Sequence, residues 1–208
     1  MSNITWPTLS AHAASLASCE FGLKSNTQVS VSELSGYVQT AELPGARWTL
    51  SGGYAPVERA DAALLEVFLA QLRGQANRAV VPLFGRTTPR GTWAGTPAVN
   101  EVGSPQMQSA TTLVCDGFTA GATVKKGDYF NIGSGGELKI ATADGTADGS
   151  GNLTISFEPP TRAEAANNTL LISTGCTCLM MAADPHAKWG RREGGFTEFA
   201  FDFVEVFA

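Results

Sequence analysis

The stretch KIATADGTADGSGNLTI, residues 139–155, decides between two structural classes, a cation-binding loop and the bend of a β-hairpin. A helix-flanked calcium loop needs oxygen ligands at positions 1, 3 and 5, a glycine at position 6 and a bidentate glutamate at position 12. Counted from Asp144, the early positions fit, because Thr146 and Asp148 follow at the correct spacing. Position 12 is Ile155, whose side chain has no ligand atom. The flanking residues alternate with period two, as strands do. We therefore favour a solvated hairpin loop in an all-β neighbourhood over a calcium site.

Composition and charge argue against several functional classes. The chain has 208 residues, of which 43% are hydrophobic, so it can bury a sizeable core as one large domain or two small ones. Its net charge of −5 argues against a nucleic-acid-binding module. No apolar run reaches the roughly 18 residues that a membrane span needs. The first residues lack the basic end and apolar stretch of a secretory signal, so we expect the chain to stay in the cytoplasm.

The four cysteines are expected to be free thiols, because a reducing cytoplasm disfavours disulfides. Cys176 and Cys178 form a CxC pair, whose side chains would share one face of a strand. Two thiols are too few for a structural zinc site, and Cys19 and Cys115 could join them only through the fold. We interpret the cysteines as small buried hydrophobic residues, with a metal site as the weaker alternative.

Periodicity divides the first half of the chain into strands and one helix. Residues 27–54 predict strands separated by turns, with the Pro-Gly pair of ELPGARW as a strong turn signal. Residues 56–74 predict an amphipathic helix, with Pro56 in its first turn and Gly74 as its C-terminal cap. Its apolar stripe, which we expect to pack on a sheet, consists of Leu64, Leu65, Phe68, Leu69 and Leu72.

The second half of the chain is expected to be β structure. Residues 87–108 are rich in Gly, Pro and Thr and predict a long loop or a domain boundary. Residues 109–160 predict a compact β unit of short strands. In the last strand, phenylalanines alternate with polar and small residues from Phe199 to Phe203, which indicates a half-buried antiparallel strand.

No catalytic constellation is apparent. The two histidines lie in an Ala/Ser-rich segment, at His12, and in a polar loop, at His186, and the chain has no GxSxG motif. The GSGG stretch at 133–136 has neither the ending of a P-loop nor a βαβ context. Asp128 precedes a predicted strand and is best interpreted as a turn-capping residue. We expect a structural or binding protein with no enzymatic activity and no cofactor.

Two ordered groups of motifs carry a family resemblance. The segments SELSGYVQTAELPGARWTLSGGYAP, ALLEVFLAQLRGQ and VVPLFG, in that order, resemble the distal tail proteins of long-tailed, non-contractile bacteriophages. The segment VKKGDYFNIGSGGELKIATADGTADGSGNLTISFEPPTR is similar to a pattern of phage tail-tip proteins, in which a Gly-Asp-aromatic entry, a hairpin and a closing segment form a β-domain. The resemblance covers most of residues 27–160.

The resemblance implies a mainly β fold in two parts. A tail-tube-like split β-barrel or sandwich with one amphipathic helix would comprise residues 1–88 and 161–208. A second, small, barrel-like domain, similar to an oligonucleotide/oligosaccharide-binding fold, would be inserted at residues 89–160. Six copies would form a ring in the virion tail tip, assembled in the host cytoplasm. The ring would contact the tail tube protein and the baseplate hub, with DNA only passing through its lumen.

Edge strands and loops are the expected subunit contacts of such a ring, since unpaired backbone groups can be satisfied by the next copy. The alternatives are another tail component, such as a tube or tail-terminator subunit, a carbohydrate-binding module, or, least favoured, a hydrolase. The aromatic residues of the second unit can all be accommodated in a core, which argues against a sugar platform. The candidate subunit-interface residues are Pro44, Arg47, Trp48, Trp93, Trp189, Arg191 and Arg192.

Overall fold

The structure, a computed structural model, describes residues 1–10, 16–100 and 108–207. Its regular structure is mainly β, with two large sheets, two two-stranded ribbons and, within those residues, one α-helix. The prediction of a mainly β chain with one helix is confirmed. In the described part of the chain, no helix has the length and apolar content needed to cross a bilayer. His12 lies outside the described residues.

The first sheet has seven strands, all antiparallel to their neighbours except β1, which runs parallel to β6. In spatial order its strands are β1 (Asn3–Thr5), β6 (Arg78–Pro82), β15 (Thr177–Ala182), β17 (Thr197–Glu205), β5 (Arg47–Val57) and β2 (Ser18–Lys24), and β16 (Trp189–Arg191) pairs with β17. In β17, Phe199, Phe201 and Phe203 are buried while Ala200 and Asp202 are exposed, so the predicted half-buried strand is confirmed.

Close backbone approach explains two consecutive glycines in β5. A Cβ on Gly52 would lie 2.7 Å from the Ser18 carbonyl oxygen, and one on Gly53 would lie 2.6 Å from the Phe199 carbonyl oxygen. Both distances are too short for a side chain. These glycines therefore allow β5 to sit between β2 and β17.

Helix α1 (Arg59–Leu72) packs on this sheet with the predicted apolar face. Leu65, Phe68 and Leu72 are buried, whereas Leu64 is exposed on the outer side. The predicted start at residue 56 is wrong, because β5 continues to Val57, which is buried and pairs with Thr197 in β17. A ladder with a neighbouring strand thus overrides the local preference of proline for a first helical turn.

The second sheet is a nearly closed, barrel-like sheet of six strands. In spatial order these are β14 (Leu171–Ile172), β10 (Tyr129–Ile132), β11 (Glu137–Ala141), β13 (Leu153–Glu158), β8 (Thr112–Phe118) and β7 (Gly95–Val99). The two outer strands meet through a bridge between Ala98 and Leu170, and the Val99 amide donates to the Thr169 carbonyl at 2.9 Å. The interior is filled by aromatic and aliphatic side chains, including Trp93, Phe130 and Phe157.

Strand β7 corrects the prediction of a continuous loop over residues 87–108. The strand contains Pro97, and proline argues against a strand when only the local sequence is considered. Its register with β8 shifts between Gly95 and Ala98. A bulged strand near the point of barrel closure tolerates proline. Residues 101–107 of the predicted loop lie outside the described residues.

The loop 142–152 belongs to a hairpin, as predicted, because β11 and β13 pair antiparallel through Ala141 and Phe157. It is more structured than a simple bend, since β12 (Gly145–Thr146) pairs with β9 (Thr123–Val124). The Asp148 carboxylate accepts hydrogen bonds from the amides of Ser150 and Asn152, at 2.8 and 2.9 Å. These bonds lower the pKa of Asp148. The carboxylate therefore stabilises the turn of its own loop.

The two sheets contact each other through polar and aromatic groups. The Trp48 indole of the first core donates to the Leu138 carbonyl of β11 at 3.0 Å. The buried Asn131 amide donates to the Thr177 carbonyl at 2.8 Å and accepts from the Thr177 amide at 3.0 Å. The rings of Trp48 and Tyr129 lie 5.8 Å apart. The first sheet draws its strands from residues 3–82 and 177–205 and the second from 95–172; the domain boundaries at 88/89 and 160/161 stay predictions.

Candidate assembly surface

A hairpin arm projects from the body as a separate two-stranded ribbon. The arm, residues 27–42, consists of β3 (Thr27–Val31), β4 (Val38–Glu42) and the turn between them. Every residue of the arm is exposed, and its strands pair only with each other within the described residues. An isolated two-stranded ribbon is marginally stable in water. The arm is therefore held in this chain by its own ladder and turn alone, without packing against the body.

One face of the arm is apolar. Val29 and Val31 lie on the same face as Val38, which is directly opposite Val31, and all three are more than half exposed. The opposite face carries Ser30 and Gln39, which are also directly paired. A row of exposed β-branched residues on one face is typical of a sheet that meets another protein surface.

The tip of the arm presents two large apolar side chains. Leu34 is 102% exposed and Tyr37 is 78% exposed, so neither contacts the body of its own chain. The turn is nevertheless ordered, because the Ser32 amide donates to the Tyr37 carbonyl and the Gly36 amide to the Ser32 carbonyl, both at 2.9 Å. Glu33 is the only charged residue of the turn. The tip is thus a preorganised apolar knob with one carboxylate.

A groove of about 780 Å³ lies at the root of the arm, between the two sheets. Its walls come from the connection after β4 (residues 42–46), the turn before β11 (135–137), residues 108–111, the segment after β13 (159–163) and the chain end at 206–207. Proline and glycine backbone and apolar side chains form much of this lining, including Leu43, Pro44, Pro159, Pro160 and Phe207. The volume falls in the range of about 300–1,000 Å³ that is usual for binding pockets.

The floor of the groove rests on an ion-paired cluster. The Arg162 guanidinium contacts the Glu205 carboxylate at 2.5 Å, and the same carboxylate accepts from the Trp48 amide at 2.9 Å. The Glu137 carboxylate contacts the Lys139 ammonium at 2.6 Å and accepts from the Arg162 amide at 3.1 Å. These contacts fix the segment after β13 to both sheets and so shape the groove.

Lys139 is an unusual member of this cluster because it is completely buried, with 0% of its surface exposed. Its ammonium also donates to the Pro160 carbonyl at 2.9 Å and lies 5.7 Å from the centre of the Phe157 ring. Burial lowers the pKa of Lys139, and the Glu137 carboxylate opposes that shift. A buried cation of this kind depends on its carboxylate partner.

Phe207 closes one end of the groove between two cations. The Arg162 guanidinium lies 3.9 Å from the ring centre and that of Arg47 lies 4.3 Å from it. Arg162 is also paired with Glu205, whereas no carboxylate of the described residues lies within ion-pair distance of Arg47. The Arg47 guanidinium is therefore engaged with the Phe207 ring but has no ion-pair partner among the described residues.

The predicted interface residues occupy three places. Pro44 lines the groove and Arg47 flanks it, so these two lie together at the root of the arm. Trp48 and Trp93 are only 4% and 6% exposed, and their side chains fill the chain's own two cores. Trp189 packs partly against the first core. For all of these residues, a subunit-interface role stays a prediction.

Two further predicted interface residues lie at the end of β16 and directly after it, where they form surface ion pairs. Arg191 pairs with Glu66 of helix α1 at 3.3 Å, and Arg192 pairs with Glu198 at 2.8 Å. These arginines are largely exposed, and such surface pairs contribute little to stability. Strands were predicted for residues 27–54, but the projecting arm was not, although the alternating valines of its strands are present in the sequence.

Asp128 does more than the predicted turn capping. It is buried, and its carboxylate accepts from the amides of Arg90, Gly91 and Lys125 and from the Trp93 indole, at 2.7–3.0 Å. Burial alone would raise the pKa of Asp128, but these four hydrogen bonds outweigh it and the pKa is lowered. The carboxylate thus ties the segment that enters the barrel to the turn before β10.

The thiols and His186 differ in how far they are buried. The prediction of buried cysteines is confirmed for Cys115, Cys176 and Cys178 and is wrong for Cys19, which is exposed on the edge strand β2. Burial raises the pKa of Cys176 to about 11. His186 is an exposed loop residue. Within residues 1–10, 16–100 and 108–207, no three His, Cys, Asp or Glu side chains are grouped closely enough to hold a metal ion.

Comparison with known proteins finds no family model that matches the chain and no curated protein that matches it in sequence.

Proposed function

We propose that this chain is a structural virion protein, a distal tail protein that assembles into a ring, most simply of six copies, between the tail tube and the tail-tip hub. The observation that carries this proposal is the arm, whose valine face and apolar tip are exposed in the single chain. An ordered and exposed apolar surface on one chain supports assembly with another chain. The family resemblance of residues 27–160 supplies the identity of the assembly.

A contact between the arm and a different surface of the next copy would be heterologous, and repetition of such a contact gives a ring when the rotation closes. The body is suited to this role because its two sheets are linked by hydrogen bonds and an ion pair. Charge is compatible with a DNA conduit, since six copies at −5 each would carry −30, and like charge disfavours adhesion of DNA.

The proposal is tested by the mass of the purified chain in solution. Mass photometry over a range of concentrations should give a ring, with six copies as the expected species. The variant Val31→Thr/Val38→Thr keeps the side-chain shape and the β preference but removes two methyl groups' worth of apolar contact from the arm face. We expect its association to weaken by about tenfold or more, because burial of each removed methyl group contributes about 0.8 kcal/mol, or about 1.6 kcal/mol for the two.

A matched control alters the other face of the same ribbon. Ser30 and Gln39 are directly paired there, so Ser30→Thr/Gln39→Thr should leave the mass distribution unchanged. A chain that remains monomeric at every concentration, alone and with tube protein, would overturn the proposal. If both variants lose association equally, the apolar face of the arm is not what drives assembly.

A further inference from the structure

The groove at the root of the arm has no apolar occupant from its own arm. Each strand of the arm has five residues and is therefore about 16 Å long, at roughly 3.3 Å per residue. Leu34 at its tip is fully exposed and does not line the groove. The tip of one copy can therefore meet this groove only on another copy.

The tip and the groove match in chemistry. The groove offers apolar walls from Leu43, Pro44 and Pro160, and the tip offers Leu34 and Tyr37. A cavity of about 780 Å³ has room for both side chains.

Their charges also match. Glu33, in the turn of the arm, has no cation of the described residues within ion-pair distance, and Arg47, beside the groove, has no carboxylate there. One carboxylate on the tip and one guanidinium beside the groove thus lack an ion-pair partner in the described chain, the guanidinium being held against the Phe207 ring. Scarcity of charge elsewhere on the arm is typical of the centre of an interface.

We propose that the arm tip of one copy inserts into the groove of the next copy, with Leu34 and Tyr37 against the proline walls and Glu33 paired with Arg47. This inference rests on the proposed ring and specifies its repeating contact. Because the knob and the hole are different surfaces, each copy uses both once, which is the arrangement that a closed ring requires. The turn is already ordered in the single chain, so little conformational entropy is lost on insertion.

Cysteine cross-linking tests the contact directly. In a Cys19→Ser background, which removes the exposed thiol, Leu34→Cys/Ala163→Cys places one thiol on the tip and one in the groove wall. A short bismaleimide should convert the ring into a ladder of covalent oligomers on a denaturing gel. The control Leu34→Cys/Val67→Cys puts the second thiol on the exposed side of helix α1 and should give no ladder.

Charge reversal provides a second measurement on variants whose changes lie outside both cores. Glu33→Arg and Arg47→Glu should each weaken association by about tenfold, and the double variant should recover most of the loss. Failure of the double variant to recover, or equal ladders from the groove and helix thiols, would overturn the inference. A chain that forms rings without a groove-specific ladder overturns the inference alone, whereas a chain that never assembles overturns the proposed function as well.

Discussion

Replacement of Asp128 should destabilise the barrel by an amount that follows from its hydrogen bonds. One carboxylate oxygen accepts from the Arg90 amide, and the other accepts from the amides of Gly91 and Lys125 and from the Trp93 indole. Asp128→Ala leaves four donors without this acceptor. At about 1 kcal/mol for each lost bond, the free energy of unfolding should fall by about 4 kcal/mol.

Asp128→Asn should cost about half as much, about 2 kcal/mol, because the amide oxygen can still accept three bonds while its NH₂ group faces the Arg90 amide. Urea unfolding followed by circular dichroism measures both values. Asp116→Asn on β8 is a suitable control, since it changes a partly exposed carboxylate of the same barrel.

The cost should also depend on pH, with a defined sign. The folded-state pKa of Asp128 lies below the unfolded value of about 3.9, so the folded state favours the charged form. Its stabilising contribution is fully present above the unfolded pKa and is lost as the pH falls through the folded pKa. The difference between wild type and Asp128→Asn should therefore shrink below about pH 4. A difference smaller than about 1 kcal/mol that does not change with pH would refute the reasoning.

Three further predictions concern the cores and the thiols. Phe68→Ala should lower the free energy of unfolding by about 3–5 kcal/mol, because the ring is buried against the sheet, whereas Val67→Ala on the exposed face of the same helix should be close to neutral in the same urea titration. Glu137→Ala should cost about 3 kcal/mol because it leaves the Lys139 ammonium buried and unpaired, and Glu137→Ala/Lys139→Met should recover much of this in a double-mutant cycle; strict additivity would contradict the pairing. In a native thiol titration, only Cys19 should react promptly and the three buried thiols should react after unfolding; fast reaction of all four would contradict the described cores.

The local spacing of apolar residues was sufficient to predict the elements that bury one face against a core. The helix stripe around Phe68 and the alternation through Phe203 each point to one core, and the structure places both there. The loop after Lys139 was predictable for the same reason, since alternating strands flank it. The spacing of apolar residues and the turn residues that flank them indicate which face a single segment buries.

Features that depend on distant segments could not be predicted. Strand β7 is held by pairing with β8 and by barrel closure at Leu170, neither of which the proline-containing local sequence reveals. Strand alternation places Glu137 and Lys139 on one face of β11, but the complete burial of Lys139 and its bond to the Pro160 carbonyl arise only from the fold. The groove is lined by residues far apart along the chain, such as Leu43, Pro160 and Leu179, so its existence depends on the tertiary structure.

The arm shows a different limit of sequence analysis. Its valines alternate as in any half-buried strand, and this pattern predicts a covered face without stating which molecule covers it. In the single chain that face is exposed, and under the proposed function the covering surface belongs to another copy. The same kind of alternation thus faces an internal core in β17 and solvent in the arm.

The hydrogen bonds between the two sheets hold the body of the chain together, whereas the arm projects from it. The links between the sheets, such as Trp48 to Leu138 and Asn131 to Thr177, join regions far apart in sequence and fix the groove relative to the root of the arm. A closed ring needs a constant angle between the surface that a copy offers and the surface that it accepts. If the tip-in-groove contact builds the ring, Asn131→Ala should then disturb ring closure, giving open or heterogeneous oligomers on mass photometry, while the contact between tip and groove persists in cross-linking. If the cross-link is lost together with the ring, Asn131 is needed for the stability of the groove and not only for the angle between the two contact surfaces.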